Sequence, residues 1–442
     1  MKSVFLIRSM TANYKMAFDI KYLFWVLLCL LLLTPRGNAQ IIGLDLLGED
    51  DEVGVPFSYE QGFIIVKFWL NGIIPLRMIL DTGAQNTILF DKEIAQILGI
   101  KYERDIKIMG SDLDAVLQAK IARRVSTRLA GCKPVLRDII VLEENTLLLS
   151  EKLGTEINGI IGGSFFSNLV MDIDYGKQKI YFTHPQKFKA PNDKGKKWWQ
   201  FWRKTRQYQK FPISITQHKP YLKAEVQVTR ESRRELDLLL DTGASLPFLV
   251  HANTDTTIQL PSRVMIGKVG YGLSGEILGY RGKAHLMKIG EDIAFSDILT
   301  SFQDLEFAEG ADENLIRNGI IGNILLERFD VIIDYTRQNL YLRPNKNYDE
   351  EFSFDKSGIT TLAVGPRLDQ FYIIAVSDKS PAARAGIQVG DVITRINNRN
   401  AKKITLPWIN TILAGKSGKK VKLTLKRGDK QLKREIILKE WF

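Results

Sequence analysis

MILDTGA at 78–84 and LLLDTGA at 238–244 are the same phrase twice, an apolar run closed by Asp-Thr-Gly, 160 residues apart. A single copy would be weak, because an Asp at a turn commonly just caps nearby backbone amides. The register makes it strong. At the same offset Gly110 lies over Gly270, NGIIG (158–162) over NGIIG (318–322), and DYGKQKIYF (174–182) over DYTRQNLYL (334–342). Matches in one register across more than a hundred residues mean two copies of one structural unit.

Each copy reads mostly as strands. FIIVKFWLNGIIPLRMIL places the turn dipeptide Asn71-Gly72 between two β-rich runs, a hairpin signal. DIDYGKQKIYF and IIDYTRQNLYL read as strand, tight turn, strand, and SFFSNL and NILLERF read as one short helix each. The copies span 55–185 and 211–344, with a linker at 186–210 between them. From about Tyr348 the texture changes, and 350–442 reads as a separate small domain.

Bulk properties bound the rest. At 442 residues, 45% apolar and 25% charged, the chain is long enough for about three packed domains, and its composition is not that of a disordered protein. Residues 1–39 read as a secretory signal. The apolar run Tyr22–Leu33 would rise only about 18 Å as a helix, short of a bilayer's hydrocarbon core. Gly37-Asn38-Ala39 then offers the small residues of a cleavage site. The expectation is an exported protein, periplasmic or extracellular. Cleavage there removes Cys29 and leaves Cys132 without an internal disulfide partner. The four histidines (184, 218, 251, 285) have no cysteines at metal spacing, so no metal site is expected.

The net charge of +12 is partly local, since KGKKWWQFWRKTRQYQK (194–210) holds seven basic residues, three tryptophans and no acid. That composition suits a peripheral membrane contact. It equally suits a solvated linker whose tryptophans cover a seam between domains. No nucleic-acid module is recognisable, so nucleic acid is not an expected partner.

Paired Asp-Thr-Gly loops, each followed by Ile-Ile-Gly 79 residues after its aspartate, resemble the pepsin- and retropepsin-like aspartic peptidases, most of all the bacterial retropepsin-like ones. Here both lobes stand in one chain. SPAARAGIQVGDVITRINN (380–398) resembles the PDZ domains attached to bacterial proteases. The resemblance implies a mainly β protein, with two tandem acid-protease β-barrel lobes followed by a small α+β PDZ-like domain.

It also implies roles. Asp81 and Asp241 would be the catalytic pair, two carboxylates that share one proton and activate water without a cofactor. Thr82 and Thr242 would cross-brace the loops. Gly83 and Gly243 would let them turn, and Gly162 and Gly322 would let the following strand pass close behind. GKVGYGLSGE (267–276) is the candidate flap, with Gly270, Tyr271 and Gly272 at its tip. The first copy has only IMGSDLD (108–114), which points to one dominant flap. Ala84 and Ala244 stand where acid-active relatives carry a hydroxyl, so activity nearer neutral pH is expected. Gln85-Asn86 in the first copy and Leu246-Pro247 in the second depart from the usual continuation, which leaves subsite shape open.

In the C-terminal domain, Ser357, Gly358, Ile359 and Thr360 would form a carboxylate-binding loop, with the groove helix near Trp408–Leu413. The expected partners are a polypeptide substrate and a C-terminal peptide ligand. The competing reading is a peptide-binding protein of the same fold that is catalytically silent or narrowly specific.

Overall fold

The computed structural model describes residues 46–48, 50–109, 116–145, 147–191, 207–272, 275–304 and 317–440. The expected signal segment lies outside these residues, as does most of the basic aromatic stretch. No helix among the described residues is long and apolar enough to cross a membrane.

The first lobe comprises β1 (Glu52–Glu60), β2 (Phe63–Leu70), β3 (Ile74–Leu80), β4 (Ile88–Leu89), β5 (Arg104–Met109), β6 (Val116–Leu129), β7 (Val135–Leu142), β8 (Gly159–Ile161), β9 (Val170–Asp174) and β10 (Lys179–Thr183). Short helices α1 (Lys92–Ile97) and α2 (Leu149–Leu153) interrupt it. The expected hairpin at Asn71-Gly72 is present. Both residues take positive φ (51° and 70°), and β2 pairs with β3 from Leu70↔Ile74 inward. Asn and Gly tolerate that backbone where most residues do not.

The second lobe repeats the plan with β11 (Gln209–Pro212), β12 (Ser214–Thr216), β13 (Lys219–Gln227), β14 (Arg234–Asp241), β15 (Phe248–His251), β16 (Met265–Gly272), β17 (Gly275–Ile289), β18 (Ile293–Gln303), β19 (Gly319–Gly322), β20 (Phe329–Asp334) and β21 (Asn339–Pro344). The repeat extends to register. β3 pairs parallel with β8 through Met78↔Gly159, and β14 pairs parallel with β19 through Leu238↔Gly319, the same match 160 residues on. The predicted short helices are a single 3-10 turn at Gly163–Phe165 and α3 (Asn323–Leu326).

One sheet joins the lobes. β9 and β20 pair antiparallel, Val331↔Ile173 through Asp334↔Val170, within the order β11-β21-β20-β9-β10-β1. Val170, Ile173, Ile332 and Ile333 are buried along this seam. The two Asp-Thr-Gly loops therefore meet within one chain.

The C-terminal unit has β22 (Ile359–Val364), β23 (Gln370–Val376), α4 (Pro381–Arg384), β24 (Val392–Ile396), β25 (Arg399–Asn400), α5 (Leu406–Leu413), β26 (Lys420–Arg427) and β27 (Lys430–Ile437). α4 starts where SPA predicts. Ser380 caps it by accepting from Ala383 N–H at 3.2 Å, and Pro381 takes the first turn, where its missing N–H costs nothing. Phe371, Ile393, Ile409, Leu413 and Leu423 fill its core. Asp391, its side chain fully buried, receives Arg427 through two bonds of 2.6 and 2.8 Å.

Candidate active site

β3 and β14 each deliver an aspartate at the end of a buried apolar strand. Behind it runs the Ile-Ile-Gly strand, and Asp81 N–H donates to Ile161 O at 3.0 Å. The Asn of NGIIG serves the same frame twice: Asn158 Oδ1 accepts from Arg77 N–H at 2.8 Å and Asn318 Oδ1 from Asp237 N–H at 2.9 Å. These asparagines were not singled out from sequence, although their repetition was visible.

The threonines interlock the loops. Thr82 Oγ1 donates to Leu240 O at 2.7 Å and accepts from Thr242 N–H at 3.0 Å. Thr242 Oγ1 donates to Leu80 O at 2.7 Å and accepts from Thr82 N–H at 3.1 Å. Both threonines are fully buried, so four bonds cross the pseudo-twofold axis without competition from water.

The glycines are required by crowding. A Cβ on Gly83 would lie 2.4 Å from Asp241 Cγ, and one on Gly243 would lie 2.3 Å from Asp81 Cγ. Each loop is thus shaped to receive the other's carboxylate. Gly162 and Gly322 leave no more room, since a Cβ there would meet Asn86 O at 2.5 Å and Leu246 O at 2.1 Å.

Within each loop the inner carboxylate oxygen is held. Asp81 Oδ1 accepts from Gly83 N–H (2.7 Å) and Ala84 N–H (2.9 Å), and Asp241 Oδ1 from Gly243 N–H (2.7 Å). Burial, then the facing Asp241 charge and the hydrogen bond to it, push Asp81 well above the usual carboxylate range. Burial also raises Asp241, opposed by the bond from Asp81, by Gly243 N–H, and by the charges of Arg317 and Lys219. Both carboxylates are raised, so the pair resists losing both protons and is of the kind that shares one between its members. A buried, singly protonated pair of this kind has both a base and an acid to offer one bound water.

Lys219 and Arg317 are the residues that sequence reading missed. Arg317 precedes NGIIG where the first copy has Ile157, and its Nε donates to His251 Nε2 at 3.3 Å. Burial and the Arg317 charge hold His251 well below its ordinary pKa, so the imidazole is neutral and can accept that bond.

The repeat is broken at one further point. Tyr175 donates to Asn323 Oδ1 at 2.5 Å, and Asn323 Nδ2 donates to Gly62 O at 2.8 Å. Tyr335 is the repeat mate of Tyr175, but residue 163 is glycine where the second copy has Asn323, and the Tyr335 hydroxyl is buried without a partner among the described residues.

The candidate flap is a β16–β17 hairpin, paired to Tyr271↔Glu276 and Gly272↔Gly275. The first lobe carries the same hairpin, β5–β6, paired to Met109↔Val116. The expected single dominant flap is not seen in the strands, because a glycine-poor segment builds the hairpin as well as a glycine-rich one. Residues 110–115 of the first tip and 273–274 of the second lie outside the described residues. Ser357 is fully buried, and Ile359 and Thr360 open β22. Away from the dyad, Ser167 Oγ and His218 Nδ1 lie 2.7 Å apart at an exposed site, and among the described residues no carboxylate pairs with His218.

Residues 66–165 match the family model described as aspartyl protease, and residues 344–438 match that of the PDZ domain. Among curated proteins, the chain is similar to a probable CtpA-like serine protease of Staphylococcus saprophyticus, at 30% identity over 138 residues, covering 30% of this chain and 27% of that protein. A protein of the same description from Staphylococcus haemolyticus is 34% identical over 94 residues, 21% of this chain and 18% of that one. The chain thus spans about a fifth to a quarter of the length of the curated relatives it matches. Among solved structures, an aspartic proteinase from Irpex lacteus aligns over 68% of this chain and 99% of its own at 12% identity and a TM-score of 0.41. Basic 7S globulin from soybean aligns over 68% and 97%, at 9% identity and a TM-score of 0.38.

Proposed function

We infer that the chain is an aspartic endopeptidase, acting on extended polypeptide after export to the periplasm or beyond. The observation that carries this reading is the reciprocal fit of the two loops, each glycine against the other lobe's carboxylate, around a buried pair whose carboxylates are both raised. In this reading Asp241, charged, takes a proton from a water bound between the two groups. Asp81, protonated, donates a hydrogen bond to the scissile carbonyl. The water oxygen bonds to the carbonyl carbon, giving a tetrahedral intermediate. The proton gained by Asp241 then passes to the nitrogen as the C–N bond breaks. Each hydrogen bond made only to the tetrahedral species lowers the barrier.

The name of the curated relatives raises a serine mechanism. Ser167 and His218 are in contact, but with no carboxylate paired to His218 among the described residues nothing there fixes the imidazole as a base. The test is cleavage of an unfolded protein from pH 3 to 8 by the chain and by Asp81→Asn and Asp241→Asn, with a statine-containing peptide and a sulfonyl fluoride as inhibitors. Loss of cleavage in both variants and inhibition by statine alone support the aspartic reading. Cleavage that survives either substitution, or yields to the sulfonyl fluoride, overturns it. An inert chain that still binds peptide makes the protein a silent binder.

A further inference from the structure

The loop expected to receive a peptide's carboxylate is already filled by the chain itself. Ser357 N–H donates to Asp355 Oδ1 at 3.0 Å, and Gly358 N–H donates to Asp355 Oδ2 at 2.7 Å. The Ser357 hydroxyl donates to Asp355 Oδ1 at 2.5 Å and its oxygen accepts from Ile359 N–H at 3.1 Å. Three successive amides are therefore spent, two of them on one internal carboxylate. An N–H has one proton to give, so a peptide terminus can use these amides only when Asp355 leaves them.

The groove is covered as well. Among the described residues β22 has one hydrogen-bonded neighbour, β23, which leaves an edge of the kind that accepts an added strand. α2 of the first lobe packs against β22. Gly154, which ends α2 in a left-handed turn (φ 67°), sits so near α5 that a Cβ would lie 2.5 Å from Leu406 Cβ. Asn410, one turn along α5, donates through Nδ2 to Gln61 Oε1 at 3.4 Å. Strand and helix, the two walls of the groove, both touch the first lobe.

The same domain bears on the second lobe. Lys283 Nζ on β17 lies 3.6 Å from Glu440, and Arg281, two residues earlier on β17, lies within electrostatic reach of Asp355. β17 is one arm of the flap hairpin. Gln61 and Gly62 in turn present their carbonyls to Ser245 Oγ (2.5 Å) and Asn323 Nδ2 (2.8 Å), beside the Asp241 loop.

We propose that the PDZ-like domain is self-closed, with Asp355 standing in for a ligand's terminal carboxylate, and that a peptide with a free C-terminal carboxylate binds by displacing Asp355 and undocking the domain from α2, Gln61 and β17. Binding is then weakened by the fraction of molecules that are closed. A consequence that rests on the peptidase reading is that undocking frees the flap strand and the Gln61–Gly62 tip, raising cleavage.

The test uses the full chain carrying Asp241→Asn, so that no ligand is cut. The probes are fluorescein-labelled decapeptides with three randomised apolar C-terminal residues, as free acids and as C-terminal amides, read by anisotropy. Asp355→Ala should tighten binding of the free acids about tenfold or more and leave the amides unchanged, with Asp355→Asn in between. Unchanged affinity for the acids, or equal gain for the amides, overturns the proposal. If Asp355→Ala fails to fold, hydrogen exchange on the parent chain decides. Saturating free acid should speed exchange across 149–154 and at Gln61, and no change there overturns self-closure. With Asp241 intact, free acid should raise cleavage of an unfolded protein; a chain that shows the binding shift and cleaves at an unaltered rate refutes the coupling to the flap alone. A chain that shows the shift and never cleaves refutes the peptidase reading and not the closure.

Discussion

Gly83 faces Asp241 across the lobe boundary with no room for a Cβ, which would come 2.4 Å from the carboxylate carbon. The carboxylate cannot retreat, because its inner oxygen is bound to Gly243 N–H and its strand to the Ile-Ile-Gly strand behind it. Gly83→Ala is therefore expected to abolish cleavage by pushing the aspartates apart, while far-UV circular dichroism stays that of the parent. Activity within threefold of the parent would show that the loops have slack the geometry denies.

Asp81→Asn separates stability from chemistry. Asp81 is raised in the folded state, so between the ordinary carboxylate pKa of about 4 and its folded pKa the native state binds the extra proton. Stability contributed by that proton is present below about pH 4 and is lost as pH rises toward the folded value. Asn Oδ1 still accepts from Gly83 and Ala84, and the amide carries no charge to bury. The variant should be dead, melt higher than the parent at pH 7, and lose that advantage near pH 3. A lower Tm at pH 7 would mean that the pair is not a buried strain.

Thr82→Val removes one hydroxyl and leaves Leu240 O and Thr242 N–H buried without partners. Each unsatisfied group costs about 1–3 kcal/mol, so a loss of about 2–6 kcal/mol in urea unfolding is expected. Thr242→Val should cost the same, because the bonds are reciprocal. A marked inequality would place the two lobes' contributions out of balance.

The pH–rate profile carries two opposed effects. Ala84 and Ala244 supply no hydroxyl to hold the carboxylates ionised, whereas Arg317 and Lys219 favour the charged form of Asp241. Because burial still raises both aspartates and the facing Asp241 charge raises Asp81 further, the optimum is expected well above that of gastric-type enzymes; one below about pH 3 would contradict this. Arg317→Gln removes a cation that lowers Asp241, so the acid limb of kcat/KM should move to higher pH. A limb that stays put would show that Arg317 serves only the packing around His251.

Much of this was legible because the repeat is written in one register. A strand ending in Asp-Thr-Gly and another ending in Ile-Ile-Gly pair within their own lobe, and Met78↔Gly159 recurs as Leu238↔Gly319. The Asn71-Gly72 hairpin and the SPA-capped helix are equally local, decided by which residues accept positive φ or cap an amide. The first lobe's β5–β6 hairpin was less legible for a related reason: glycine content bears on how freely a tip moves and not on whether its strands pair.

By itself the sequence determined two like lobes, a pair of aspartates and a third domain, since each rests on short-range turn and strand chemistry repeated along the chain. Tertiary structure alone decided which charges surround the dyad. Lys219 and Arg317 stand 98 residues apart in the chain, yet both act on Asp241, because Coulomb energy depends on distance and burial and not on sequence separation. It also decided that Tyr335 lacks the partner Tyr175 has, and that Gln61 of the first lobe meets Asn410 of the last domain, 349 residues away. Those contacts belong to packing between surfaces, and no local pattern encodes where two surfaces will meet.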